Sequence, residues 1–172
     1  MPAQTIVELG NSYLLEHCQP VEEPSSASVS SLINDLRDTL ESFRAEHGFG
    51  QGIAAPQIAV LSRVVYIDMA SGHFRGAMIN PEIVSESEGS IDLWDSCFSF
   101  PNLLARVRRA VSVRVQYLDE NGKLEVIEAT NELATLLQHE IDHLDGILAV
   151  ERAISPKAFM TRDEWERQGR PL

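Results

Sequence analysis

The sequence predicts an α+β fold, and three observations carry that reading: an amphipathic helix near the start, several short strands in the middle, and a second amphipathic helix near the end. Helix, strands and helix in that order differ from the strand–helix alternation of repeated βαβ units. The 172 residues lie within the ~100–200 typical of one domain, so residues 1–172 are read as a single domain. With 44% apolar and 23% charged residues, the chain can bury a core and does not have the composition of a disordered one.

The first helix follows from Leu32, Ile33, Leu36, Leu40 and Phe43, whose three-and-four spacing puts one apolar stripe on one face. Pro24, Ser25 and Ser26 offer its start, and Gly48 a left-handed stop. Alternating glycines at 48, 50 and 52 then loosen the backbone. The β-branched and aromatic run Val64-Val65-Tyr66-Ile67 predicts a strand, Ser71-Gly72 a turn, and residues 77–83 a second strand. Because Pro81 cannot donate to a ladder, that second strand is expected at an edge. Val111, Val113, Val115 and Tyr117 alternate with polar residues, and Asp119-Glu120-Asn121-Gly122 turns the chain into residues 123–128, a hairpin with one buried face. The last strong element starts at Thr130 or Asn131, carries Leu133, Leu136, Leu137, Ile141 and Leu144, and stops before Gly146. The tail from Pro156 supports a short helix or a frayed end.

Lys and Arg number 14 against 26 Asp and Glu, a net charge of −12, which argues against binding nucleic acid or an anionic membrane. No stretch approaches the ~18 apolar residues of a membrane span, and residues 1–20 lack the basic start and apolar run of a secretion signal. A soluble, cytoplasmic protein is expected. Cys18 and Cys97 are too few for a disulfide scaffold and are read as reduced thiols, with one bridge between them left open.

Chemistry concentrates in His139-Glu140-Ile141-Asp142-His143. Residues four apart share a helix face, so two imidazoles can converge on one metal ion, leaving Glu140 uncoordinated beside them. That is the spacing metal-assisted hydrolysis needs, although a solvated helix face would tolerate the same residues. A catalytic metal usually has three protein ligands, and Cys97, in Asp95-Ser96-Cys97-Phe98-Ser99, completes a thiolate and two-imidazole set. A buried, inert cysteine is the plainer reading of Cys97 alone. The third segment, Gly50-Gln51-Gly52-Ile53-Ala54-Ala55-Pro56-Gln57, can accept an extended peptide as an added strand, and the Gln57 amide can face a developing oxyanion.

Taken together, these three segments in this order resemble the peptide deformylases, which show Gly-x-Gly-φ-Ala-Ala-x-Gln, Glu-Gly-Cys-φ-Ser and a His-Glu-x-x-His helix. Ile79-Asn80-Pro81, Phe100-Pro101 and Arg109 also look like that family's connecting sequence, so the resemblance spans nearly the whole chain. It implies an α+β fold in which short mixed strands surround a central metal-bearing helix. It also implies removal of the formyl group from N-formylmethionine at the start of new polypeptides, with release of formate. Cys97, His139 and His143 would hold one divalent metal, Fe(II) by preference, with zinc, nickel or cobalt as substitutes. Such a metal lowers the pKa of water, Glu140 would take that proton and pass it to the leaving nitrogen, and the Gln57 amide and Phe98 backbone N–H would meet the oxyanion. Gly50, Gln51, Gly52, Ile53, Ser96 and Leu104 would line the substrate groove.

Two departures stand out. The family's Glu-Gly is Asp95-Ser96 here, and its common arginine seven residues after the cysteine is Leu104. Both changes are expected to touch the groove and spare the metal, with Ser96 lowering efficiency on formyl-methionine peptides. Some bacterial deformylases dock on the ribosome through a basic C-terminal helix, but residues 155–172 carry four basic against three acidic side chains, a net +1, which argues against such docking. Two rival readings accompany this one: a zincin-type protease with Glu164 or Glu166 as third ligand, and a metal-bearing module that binds blocked N-termini without turnover.

Overall fold

The computed structural model describes residues 3–172. Helix α1 (Ala27–His47) begins where the Ser26 side chain accepts from the Val29 N–H and ends at Gly48, whose φ of 76° reverses the chain. After the short strand β1 (Gly52–Ala54) and a 3₁₀ turn at Ala55–Ile58 come β2 (Val64–Asp68), β3 (Arg75–Glu86), β4 (Ser90–Ser96), β5 (Leu103–Ala110), β6 (Ser112–Leu118) and β7 (Leu124–Thr130). Helix α2 (Asn131–Leu144), strand β8 (Phe159–Thr161) and the one-and-a-half-turn helix α3 (Arg162–Arg167) complete the chain.

The strands form two antiparallel sheets, one in the order β1-β2-β3-β6-β7 and one in the order β4-β5-β8. Strand β2 shows why its sequence is a continuous apolar run: it is covered on both faces. Val64 and Tyr66 face α1 together with Ala77 and Ile79, whereas Val65 and Ile67 face α2 together with Met78, Val113 and Val115. The two helices therefore sandwich the larger sheet, and α2 also reaches β5 of the smaller one. No helix among the described residues is long and apolar enough to cross a membrane.

The strand containing Pro81 is not an edge strand. β3 pairs with β2 on one side and β6 on the other, and the ladder absorbs the proline through a register shift between Ile79 and Glu82. Asn80 takes a φ of 50° there, held by two 2.8 Å hydrogen bonds between its side-chain amide and the backbone of Val21. Residues 84–110, which the sequence left without assigned strands, form the end of β3, the hairpin β4–β5 and the segment carrying Cys97. The tail is ordered by pairing rather than frayed, since β8 adds to β5 with Leu104 opposite Met160.

Candidate active site

Helix α2 begins after Thr130, whose side chain makes no capping bond; Asn131 instead takes a φ of 52° and donates its N–H to the Val111 carbonyl at 2.8 Å. Its apolar face, Leu133, Ala134, Leu137, Ile141 and Leu144, is fixed in the core under β2, β3 and β6. With that face committed, the spacing of the remaining positions turns His139, Glu140 and His143 toward the end of β4, and all three are buried.

Cys97 lies just past β4, its Sγ 3.2 Å from His143 Nε2. The donor atoms of Cys97, His139 and His143 all lie within 4.8 Å of one another. The set fits one transition-metal ion by its chemistry, a soft sulfur and two imidazoles whose donor atoms converge in a buried cluster; beside it, His143 Nδ1 and Glu140 Oε2 are buried with no hydrogen-bond partner among the described residues. Burial pushes His143 well below the ordinary imidazole range, so its ring stays neutral. For His139, burial acts in the same direction but is outweighed by Asp95, whose Oδ2 sits 3.0 Å from Nδ1 and raises the ring well above its usual value. A carboxylate on the far ring nitrogen fixes the tautomer and makes Nε2 a stronger donor.

That carboxylate belongs to a buried chain of charges. Burial alone would raise Asp95, yet His139 and Arg109 beside it hold it at about 2. Arg109 bridges Asp95, at 3.1 Å, to Asp142, and Arg152 closes on Asp142 from the outside at 2.7 Å. The change from Glu-Gly to Asp-Ser therefore does touch the metal site, because Asp95 supports a histidine and is not only a groove residue. One residue before His139, Gln138 donates to the Ala110 carbonyl and accepts from the Ala110 N–H, both at 2.9 Å.

The glycine segment approaches from the other side. A Cβ on Gly52 would lie 2.6 Å from Glu140 Oε1, so only glycine lets β1 pass this close to the carboxylate. Burial pushes Glu140 up to about 7 against the opposing pull of His139. Gly50, at φ 121°, packs where a Cβ would meet the Phe98 ring at 2.4 Å. Gln57 is oriented by its own backbone neighbourhood: Oε1 accepts from the Ala54 N–H at 2.9 Å, which leaves Nε2 facing Cys97 Sγ and Ser99 Oγ, each at a loose 3.5 Å.

A groove of about 330 Å³ opens over these groups. Gly50, Gln51, Gly52, Gln57, Ser96, Cys97, Phe98, His139 and Glu140 reach it. Ile53 and Leu104 do not. In β1 the alternation that turns Gly52 to Glu140 turns Ile53 into the α1 core, and Leu104, 1% exposed, lies inside the small sheet between Ser96 and Met160. Ser96 has no positive φ, so its side chain adds bulk without backbone strain. Leu93, Trp94, Glu132, Thr135, Leu136 and Trp165 also line the groove, and none of them carried a local signal for it. Glu164 pairs with Arg167 on α3 and Glu166 with Arg170 just beyond it, and neither joins a metal-ligand cluster among the described residues, which removes the zincin reading.

A buried thiol and His-x₃-His set, with a carboxyl group alongside and a peptide-sized groove above, defines a metal-dependent amide hydrolase. The comparisons narrow the class. The family model for polypeptide deformylase matches residues 3–159. Peptide deformylase 2 of Clostridium perfringens is 40% identical over 153 residues, 89% of this chain and 94% of that one. A peptide deformylase from Synechococcus elongatus, solved in complex with actinonin, superposes with a TM-score of 0.83 at 27% identity over 100% of this chain and 89% of that one. One from Acinetobacter baumannii gives 0.80 at 31% identity, covering 88% and 100%. The chain belongs to the polypeptide deformylase family. It is a hydrolase whose metal-dependent reaction removes the N-formyl group, which sets aside a binding module without turnover.

Proposed function

We propose that the buried residues around the triad divide the deformylation of N-formylmethionine as follows. Cys97, His139 and His143 hold the metal, and Fe(II) is the ion that the family resemblance favours, with zinc, nickel or cobalt as substitutes. When bound, it supplies the Lewis acidity that makes water a nucleophile at neutral pH. The observation that carries the reading is Glu140: buried, unpartnered at Oε2, pressed against Gly52 and next in sequence to a ligand. Glu140 takes a proton from the attacking water and returns it to the departing amino nitrogen, so the C–N bond breaks to give formate and a free amine. Its displacement from the usual carboxyl range toward neutrality suits a group that must both accept and donate. The Gln57 amide, anchored at Oε1 and only loosely engaged at Nε2, receives the oxyanion together with the Phe98 backbone N–H.

Formylated N-termini exist where translation begins with formyl-methionine, and a cytoplasmic setting for this reaction is part of the proposal. The +1 charge of residues 155–172 offers little attraction to ribosomal RNA, so the chain meets its substrate without a basic dock. The decisive experiment measures formate release from a formyl-methionine peptide by the ferrous protein under anaerobic conditions, alongside metal content. Cys97→Ala is expected to lose both metal and activity, whereas Glu164→Ala keeps both; retained metal in Cys97→Ala overturns the ligand set.

A further inference from the structure

The family match ends at residue 159, yet the groove has a wall made beyond that point. Strand β8 pairs with β5, and α3 follows it directly, beginning at Arg162. The Arg162 Nε donates to the Pro101 carbonyl at 2.6 Å, and its guanidinium lies 3.7 Å above the Phe49 ring, itself a groove residue. Residues three apart share a helix face, so Trp165 continues the same wall one turn later and reaches the groove. Its indole is half-buried and held in orientation by donating to the Pro171 carbonyl at 2.8 Å, with Arg170 over its ring. None of these contacts involves Cys97, His139, His143 or Glu140.

We infer that Trp165 is a specificity-determining residue, contributed by the C-terminal segment, that contacts the peptide residues following formyl-methionine and favours large apolar side chains there. The inference rests on the deformylase reading of the site. With the formyl group at the metal ligands, the wall made by Phe49, on whose ring Arg162 stacks, and by Trp165 is the part of the groove that we assign to residues further along the substrate. An indole held rigid by its own hydrogen bond offers a broad apolar face at little entropic cost, and such a face discriminates by contact area rather than by polar pairing. The departing formyl group never touches it, so Trp165 acts on substrate affinity and leaves the chemical step alone.

The test compares formyl-Met-Leu-Leu with formyl-Met-Ala-Ala in the metal-loaded wild type, Trp165→Ala and Trp165→Phe. In Trp165→Ala, kcat/KM for the leucine peptide falls about three- to tenfold through KM, the range of one aromatic contact, while the alanine peptide changes much less. Metal content and kcat stay as in wild type, and Trp165→Phe restores most of the loss. An equal loss on both peptides, or a fall in kcat, assigns Trp165 a structural role and overturns the proposal, as does no loss at all. A second measurement is independent of turnover: the tryptophan fluorescence change on adding formyl-Met-Leu-Leu to the wild type, whose two tryptophans are Trp94 and Trp165, is compared with that of Trp165→Phe, and the variant loses the Trp165 share of the change. An equal change in both proteins, or none in the wild type, overturns the contact. A wild type that releases no formate from either peptide would count against the function, while the fluorescence still decides the contact.

Discussion

Helices α1 and α2 cover opposite faces of the same sheet, but they are built on different principles. In α1 the buried side chains are Val29, Ile33, Leu36, Leu40 and Phe43, with Thr39 as the sole polar one, and Thr39 returns its hydroxyl proton to the Asp35 carbonyl of its own helix. In α2 five buried side chains are polar or ionisable: Gln138, His139, Glu140, Asp142 and His143. Most of them depend on partners from distant parts of the chain, Asp95, Cys97, Arg109 and the backbone of Ala110. The contrast teaches where stability and chemistry separate. α1 contributes area removed from water, and its ion pairs, such as Arg44 with Asp68, lie outside its buried apolar stripe. α2 holds costly buried groups in place because most are answered by a partner, and of the two atoms left unanswered, His143 Nδ1 and Glu140 Oε2, the carboxyl oxygen belongs to a side chain that lines the groove.

Substitutions can break this division, beginning with the largest effect. Glu140→Gln keeps the shape and removes the base, so turnover should fall by roughly 10²–10⁴ while metal content and melting temperature stay near wild type. Near-normal formate release from this variant would remove Glu140 from the mechanism.

The next pair sharpens the comparison directly. Arg109→Ala leaves Asp95 and Asp142 buried without their shared cation, and the expected loss is about 3–5 kcal/mol in urea unfolding, together with weaker metal retention on dialysis. Leu36→Ala in α1 should cost a similar ~2–5 kcal/mol through lost packing, but the folded fraction should retain its metal and its kcat. If both variants lost metal equally, the two helices would not be separable in the way described.

The smallest effect concerns Ser96→Gly, which opens the groove beside Cys97. A rise of about tenfold in kcat/KM on formyl-Met-Ala, equal to ~1.4 kcal/mol, marks Ser96 as an obstacle to the substrate backbone. An unchanged value removes it from any account of efficiency.

What the sequence made legible follows the same line between local and distant causes. α1, the hairpin β6–β7 and α2 each announce themselves within a dozen residues, by period and by turn residues, and they lie where expected. The metal ligands were legible because a helix turn fixes His139 against His143 and because the ordered motifs resemble a family. Strands β4, β5 and β8 were not, since Arg109 fills a buried position of β5 that the pattern would give to an apolar residue and the three residues of β8 are too few to show an alternation. Asp95 read as a groove residue because nothing local connects it to His139, 44 positions away. Ile53 and Leu104 read as groove residues because a motif gives positions along a chain, whereas the pleat decides the face, and one residue of offset moves a side chain from the groove to the core.

The Gln138 amide has one more consequence, for assembly. By binding both the N–H and the carbonyl of Ala110, it imitates an adjacent strand, so a helix side chain takes the place a ladder neighbour would occupy. Ala110 stands opposite Ser90, the first residue of β4, and Cys97 follows directly after the last. A slip of the small sheet by a single residue would strip both bonds of the clamp and carry the thiol away from the two imidazoles in the same movement. The clamp therefore acts as an indexing pin between sheet and helix: the thiol that follows β4 and the two imidazoles of α2 come into position together or not at all.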